Sequence, residues 1–194
     1  ISNVGLKILY DQINQRDDAL AERAYLPWLD FEEVMRENEI PLYALESKNP
    51  LANFDIIGIT IPYETLYTNT LNALDLSGIP LKTANRNEEH PLIIAGGHTG
   101  TNPEPMHAFI DAYVVGEGEE VIHDIVEEVA RSKSANESRA ELLFALSQIT
   151  GVYVPSLYEV EYQDDGTIAV TKPTVEGVPS HIMKRIVAKL QPPP

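Results

Sequence analysis

Three short apolar runs along the chain have the pattern of strands in a sheet. They occupy residues 56–61, 92–95 and 112–115, and the first is almost entirely β-branched. Continuous apolar runs of this length are typical of strands that are buried on both faces of a parallel sheet. Other segments repeat apolar residues every three or four positions, which predicts amphipathic helices at 65–76 and 119–131.

Weaker patterns fill the rest of the N-terminal half. An opening helix is predicted, with Ser2 or Asn3 as its cap. Its inner face carries Val4, Ile8, Leu9 and Ile13. A second helix is predicted at 31–38, with inward-facing Phe31, Val34 and Met35. Minor strands are expected at 23–27 and 42–45, and a short helix at 104–109.

The alternation of strands and helices predicts an α/β fold with a doubly wound, flavodoxin-like, mostly parallel sheet. A flavodoxin-like sheet has a central first strand directly before its first helix, whereas this chain opens on a helix. We therefore expect a strand to precede Ile1. The alternative is a four-stranded sheet that never had this strand.

Beyond Arg131 the pattern changes, so residues 1–131 are expected to form the α/β domain and 132–194 an appendage. The appendage starts with a polar linker at 132–138 and a helix at 141–149. A β-hairpin follows, with the turn residues Asp164, Asp165 and Gly166 between its arms. The arms are residues 153–162 and 168–171, and a more basic helix is predicted at 178–190, ahead of a proline-rich end.

Composition limits the possible functions. The 194 residues carry a net charge of −16 and contain no cysteine. A surface this acidic repels phosphate backbones and anionic lipids, so neither membrane binding nor generic nucleic-acid binding is expected. Without cysteine, the chain itself has no disulfide, thiol nucleophile or cysteine-held metal cluster. No apolar run approaches the ~20 residues of a membrane-spanning helix and no signal peptide is visible, so a cytoplasmic location is expected.

Glycine and polar residues follow the predicted strands, where ligands bind in open parallel sheets. Glycine permits a positive φ and a close approach of a ligand to the backbone. The candidate cofactor-binding residues are Thr60, Gly96, Gly97, His98, Thr99, Gly116, Glu117 and Gly118. The alternative is that these glycines only form tight turns, that His98 is a loop histidine and that Glu117 complements a helix dipole. No catalytic residue and no metal ligand set is predicted.

The segment 96–120 resembles the cobalamin-binding-type N-terminal domain of radical SAM proteins. The resemblance rests on Gly96-Gly97-His98-Thr99, on Pro103-Glu104 and on the run from Asp111 to Glu119 (DAYVVGEGE). It implies that cobalamin binds at the candidate residues. It also implies that a [4Fe–4S] cluster and S-adenosylmethionine belong to a separate catalytic domain of the same protein, which would be the partner of this chain.

Two functions are therefore kept open. One is an accessory cofactor-binding domain of a radical SAM enzyme, and the other is a degenerate domain that has lost the cofactor and serves in docking a substrate or a partner. The docking hypothesis predicts an empty, partly filled cleft and an apolar patch near the C-terminal hairpin. A free-standing enzyme would need a catalytic cluster that the sequence does not reveal.

Overall fold

A four-stranded sheet organises the molecule, for which a computed structural model describes residues 4–189. Its strands are β1 (Ile56–Thr60), β2 (Leu92–Gly96), β3 (Ala112–Val114) and β4 (Val152–Tyr153), in the order β1-β2-β3-β4. The first three strands run parallel, and β4 pairs antiparallel to β3. The three predicted strands and the mostly parallel character of the sheet are confirmed, whereas β4 was not predicted as a separate strand.

Helices cover both faces of this sheet. Successive residues of a strand point to opposite faces. Ile94 and Val114 therefore pack with Ile125 of helix α4 (Gly118–Ala135), while Ile93 packs on the other face with Leu74 of helix α3 (Tyr67–Leu76). Helix α5 (Arg139–Ser147) extends the first layer through Leu146. The α/β class and the predicted helices at these positions are confirmed.

Two more helices lie at the periphery. Helix α1 (Val4–Asn14) packs against α4, and its predicted caps Ser2 and Asn3 lie outside the described residues. Helix α2 (Leu29–Glu37) buries Met35 in a small core with Leu42 and Leu76. Because only this side of α2 is covered, Phe31 and Val34 are 47% and 46% exposed, and the prediction that they face inward is wrong.

Three weak predictions in the N-terminal half also need correction. No strand forms at 23–27, and residues 42–45 contribute only an isolated bridge between Tyr43 and Pro50. The predicted helix at 104–109 is a short 3-10 turn, Glu104–Met106. Strand β1 is only partly buried, because β2 is its sole partner among the described residues.

The C-terminal part differs more from expectation. The predicted linker at 132–138 is partly helical, since α4 continues to Ala135. Ser138 and Glu141 then form a capping box that starts α5. The hairpin consists of β5 (Tyr158–Tyr162) and β6 (Ile168–Pro173), while Tyr153 belongs to β4 of the main sheet.

The predicted basic helix at 178–190 does not form within residues 178–189. Instead, Arg185 makes a parallel bridge to Gly116, beside the carboxyl end of β3. Residues 183–187 are named the strap below. Within residues 4–189, no helix is both long enough and apolar enough to cross a membrane.

Candidate functional site

The candidate residues meet at one edge of the sheet, as predicted. Thr60 and Gly96 are register partners at the carboxyl ends of β1 and β2. Glu117 and Gly118 start helix α4, directly beyond β3. The edge is formed by the loop 97–101, the start of α4 and the strap, and their contacts determine what it can bind.

The loop 97–101 folds back onto the strand ends. Thr99 is buried, and its amide and hydroxyl both donate to the carbonyl oxygen of Ile61, at 3.3 and 2.8 Å. Gly97 has a φ of 106°, and a Cβ there would lie 2.9 Å from the same oxygen. A Cβ on Gly100 would lie 2.7 Å from the carbonyl oxygen of Val114. Close approach of the protein's own backbone therefore accounts for both glycines.

The strap accounts for Gly116 in the same way. The Arg185 amide donates to the Val115 carbonyl at 2.9 Å, and the Glu117 amide donates to the Arg185 carbonyl at 3.1 Å. A Cβ on Gly116, whose φ is 118°, would lie 2.2 Å from the Arg185 carbonyl oxygen. The Glu117 carboxylate accepts from the Val187 amide. Glu117 therefore holds the strap rather than facing a ligand.

Ion pairs with α4 also hold the strap in place. The guanidinium of Arg185 lies 3.2 Å from the Asp124 carboxylate and 3.5 Å from that of Glu120, both on α4. The helix predicted around Arg185 is thus replaced by an extended segment whose basic side chain meets acidic residues of α4. Sequence reasoning missed this contact, because the two segments lie far apart along the chain.

The remaining candidate residues differ in how far they are exposed. His98 is exposed, and its ring has no hydrogen-bond partner within residues 4–189. A Cβ on Gly118 would lie 3.2 Å from the Leu9 side chain, so α1 covers this glycine. Residues 4–189 contain no group of three or more His, Cys, Asp or Glu that could hold a metal ion. Within residues 4–189, backbone atoms of Ile61, Val114 and Arg185 thus lie close to Gly97, Gly100 and Gly116, the positions where a ligand was expected to approach.

Two surface cavities lie elsewhere, and no candidate residue lines either one. A cavity of about 450 Å³ lies between the end of α4, α5 and the hairpin, and its apolar walls include Phe144, Leu157 and Val175. A second, of about 490 Å³, lies near the amino ends of β1 and β2. The first matches the apolar patch near the hairpin that the docking hypothesis predicts.

A buried tyrosine cluster beside the loop 97–101 was not predicted. The Tyr153 hydroxyl donates to the Glu104 carboxylate at 2.7 Å. The hydroxyls of Tyr67 and Tyr113 are buried, and neither has a hydrogen-bond partner among residues 4–189. Burial raises the pKa of Tyr113, with smaller contributions from Tyr67 and Glu104. Burial, followed by the hydrogen bond to Glu104, raises the pKa of Tyr153.

These shifts predict how the protein responds to alkali. Burial also raises the pKa of Tyr67 and of Tyr158. Because the pKa of these tyrosines is higher in the folded than in the unfolded protein, their contribution to the stability of the fold is complete below pH ~10, the ordinary tyrosine value. That contribution is lost as the pH rises further. In absorbance titration at 295 nm, four of the nine tyrosines, Tyr67, Tyr113, Tyr153 and Tyr158, should therefore ionise only above pH ~10, together with unfolding.

The control for this titration is the same protein in denaturant, where all tyrosines should ionise together. Tyr153→Phe should remove one late-ionising group. A single native transition near the ordinary pKa would contradict the buried cluster.

An ionic cluster lies at the opposite edge of the sheet. The Oδ2 atom of Asp111 accepts from Arg86 at 3.0 Å, from Arg139 at 2.8 Å and from the Ile93 amide at 2.8 Å. The side chains of Arg86 and Asp111 are fully buried. Asp111 and Glu104 both belong to the motifs that carry the family resemblance; in the structure Asp111 pairs with the buried Arg86, and Glu104 accepts from Tyr153 in a partly buried contact.

Comparison with known proteins shows the family of the chain. The model of the family "Radical SAM proteins, N-terminal" matches residues 5–155, and the chain belongs to this family. The uncharacterized protein MJ0966 of Methanocaldococcus jannaschii is 31% identical over 83 residues, which cover 42% of this chain and 17% of that protein. The chain thus matches less than a fifth of its relative's length. No solved structure matches.

Proposed function

We propose that this chain is an accessory docking domain of a larger radical SAM protein, and that the chemistry takes place outside it. Family membership supports the accessory role. The contact between the Arg185 backbone and Gly116 is the observation that favours docking over cofactor binding. At Gly116 the chain's own backbone lies where a ligand was expected to approach. The [4Fe–4S] cluster and S-adenosylmethionine are then expected in a separate catalytic domain.

An exposed apolar stripe at the start of α2 is the proposed docking surface. It consists of Trp28, Leu29, Phe31 and Val34, which are 80%, 74%, 47% and 46% exposed. Phe31 and Val34 are spaced three residues apart and so share one side of the helix, while Trp28 directly precedes its first residue. Large apolar side chains grouped in this way mark interaction sites more often than scattered ones do.

The proposed occupant of the stripe is the catalytic domain of the same protein. Most of the length of MJ0966 lies outside the matched segment. A protein of that length would have a large further part that could pack against the stripe. Acidic residues Asp30, Glu33 and Glu37 border the stripe, which favours a partner surface with an apolar centre and basic surroundings. Aromatic side chains such as Trp28 are enriched among the residues that dominate interface energies.

Serine substitutions in the stripe test this proposal in the full-length protein. Trp28→Ser combined with Phe31→Ser should leave the secondary structure intact, because both side chains are substantially exposed here. The variant should show an increased radius of gyration in small-angle scattering and faster proteolysis between domains. Leu20→Ser, at a residue that is 74% exposed and lies outside both the stripe and the hairpin, is the control. Equal behaviour of the two variants would argue against docking at the stripe.

Titration with hydroxocobalamin decides between docking and cofactor binding. The docking proposal expects no saturable change in the visible spectrum up to high micromolar cofactor. A saturable change that disappears in His98→Ala would overturn it, since His98 is the exposed imidazole of the candidate edge. Thr101→Ala, which alters an exposed neighbour in the same loop, is the matched control.

A further inference from the structure

Two hydroxyl groups of the tyrosine cluster are buried without a partner in the described part of the chain. These are the hydroxyls of Tyr67 and Tyr113, and neither has a hydrogen-bond partner among residues 4–189. Tyr113 is only 1% exposed, so bulk solvent does not reach it. Native proteins pair the great majority of buried polar atoms with protein groups or ordered water, because an unpaired one costs free energy. Two such hydroxyls in one cluster therefore indicate a site that a small hydrogen-bonding molecule completes.

The two hydroxyls belong to different elements that face the same core. Tyr113 is the central residue of β3, and Tyr67 is the first residue of α3. Both side chains pack into the core between the sheet and α3, together with Ile61, Leu74 and Ile110. Aliphatic side chains neither donate nor accept hydrogen bonds, so these neighbours do not satisfy a phenol hydroxyl.

Glu104 brings a third polar group to the cluster. Its Oε1 atom accepts from the Tyr153 hydroxyl at 2.7 Å, and Tyr153 is the register partner of Tyr113. After burial, which is the largest cause, the charges of Tyr67 and Glu104 also raise the pKa of Tyr113, so the three groups lie near one another. A carboxylate offers about four acceptor positions, and Glu104 therefore retains capacity beyond its bond to Tyr153.

The chemistry of these groups selects the bound molecule. A phenol hydroxyl can donate and accept, whereas a carboxylate only accepts, so a molecule that bridges them must be able to do both. The negative charge of Glu104 disfavours an anion. Tyr67, Tyr113 and Glu104 line neither of the two surface cavities, which argues against a larger ligand. Water fits these requirements, because a buried water typically makes about three hydrogen bonds to polar groups of the protein.

We propose that one ordered water molecule binds between Tyr67, Tyr113 and Glu104. It donates to the Glu104 carboxylate and to one phenol oxygen, and it accepts from the hydroxyl of the other tyrosine. Through this water, the start of α3 and the centre of β3 are joined to Glu104 and, by way of Tyr153, to β4. The proposal is independent of the docking function, because the site is internal and requires no partner domain.

Magnetic relaxation dispersion of water oxygen, which detects long-lived internal waters, tests the site in the full-length protein. The double variant Tyr67→Phe with Tyr113→Phe should lose one such water relative to the wild type, because only Glu104 is left to hold it. Tyr63→Phe removes a hydroxyl from a residue that is 65% exposed, and this matched control should leave the number unchanged. An equal number of long-lived waters in the wild type and the double variant overturns the proposal.

A double-mutant cycle in urea unfolding provides an independent check. Each single change should shift the unfolding midpoint, and the two shifts should not add, because both hydroxyls bind the same water. Additive shifts mean that the hydroxyls act separately, and non-additive shifts without the loss of a water mean that they bond directly to each other; either result overturns the proposal. Tyr67→Phe alone, at a half-buried residue, should shorten the lifetime of the water and carries the comparison if the double variant does not fold.

Discussion

Replacing Asp111 by alanine should destabilise this domain by ~3–5 kcal/mol, the usual cost of breaking a buried ion pair by removing one partner. Within residues 4–189, Asp111 is the only acidic partner of two guanidinium groups, those of Arg86 and Arg139. Their side chains are 0% and 10% exposed, so water cannot replace the lost carboxylate around Arg86. The Ile93 amide at the start of β2 would lose its acceptor as well.

Urea unfolding followed by circular dichroism measures this change, with Asp55→Ala as its control. Asp55 also pairs with a cation, Lys133, but both side chains are 62% exposed. Exposed pairs contribute little to stability, so the control should shift the midpoint far less. Similar shifts of the unfolding midpoint in the two variants would mean that the buried Asp111 cluster does not stabilise the packing of β2, β3 and α5 as the geometry indicates.

The sheet and its covering helices were predictable from the sequence because local patterns determine them. Strands β1, β2 and β3 are apolar runs, and α3, α4 and α5 repeat apolar residues at helical spacing. Burial of those side chains is the dominant stabilising contribution, so pattern and structure agree. Strand β4 was harder to predict, because two residues alone, Val152–Tyr153, give too short a pattern.

The sequence-based predictions were wrong where contacts with distant parts of the chain override the local preference for secondary structure or orientation. Residues 178–190 carry apolar and basic residues compatible with a helix, yet Pro179 and the pairing of Arg185 with Gly116 favour an extended segment. Similarly, the pattern of α2 predicted that Phe31 faces inward. Its exposure depends on which elements pack around α2, and a local pattern does not contain that information.

The candidate site shows the same distinction between local and distant information. The sequence placed the candidate residues after the strands, where the structure also has them, because strand ends and glycines are local features. It did not reveal why glycine is needed, since the atoms that approach Gly97, Gly100 and Gly116 come from Ile61, Val114 and Arg185. Glu104 and Asp111 were singled out only as parts of motifs, because their partners Tyr153 and Arg139 follow much later in the chain.

Gly116→Ala should destabilise the protein more than the same change at any glycine that has only a positive φ. The added Cβ would lie 2.2 Å from the carbonyl oxygen of Arg185 and 2.7 Å from its amide nitrogen. These atoms belong to the backbone, so no rotation of a side chain relieves the contact. The strap must move away from β3, which breaks its hydrogen bonds to Val115 and Glu117.

Gly166→Ala provides the matched control, because Gly166 has a φ of 81° but a Cβ there would meet nothing within 4 Å. Both variants carry the backbone strain of a positive φ, on the order of 1–3 kcal/mol. Only Gly116→Ala adds the steric clash, which for an overpacked site costs a further ~1–3 kcal/mol. The difference between their free energies of unfolding therefore measures the strap contact itself. Faster hydrogen exchange at Arg185 in Gly116→Ala alone would confirm that the strap has moved. Equal unfolding energies would mean that the strap does not occupy this edge in solution, and the argument for docking over cofactor binding would lose its main support.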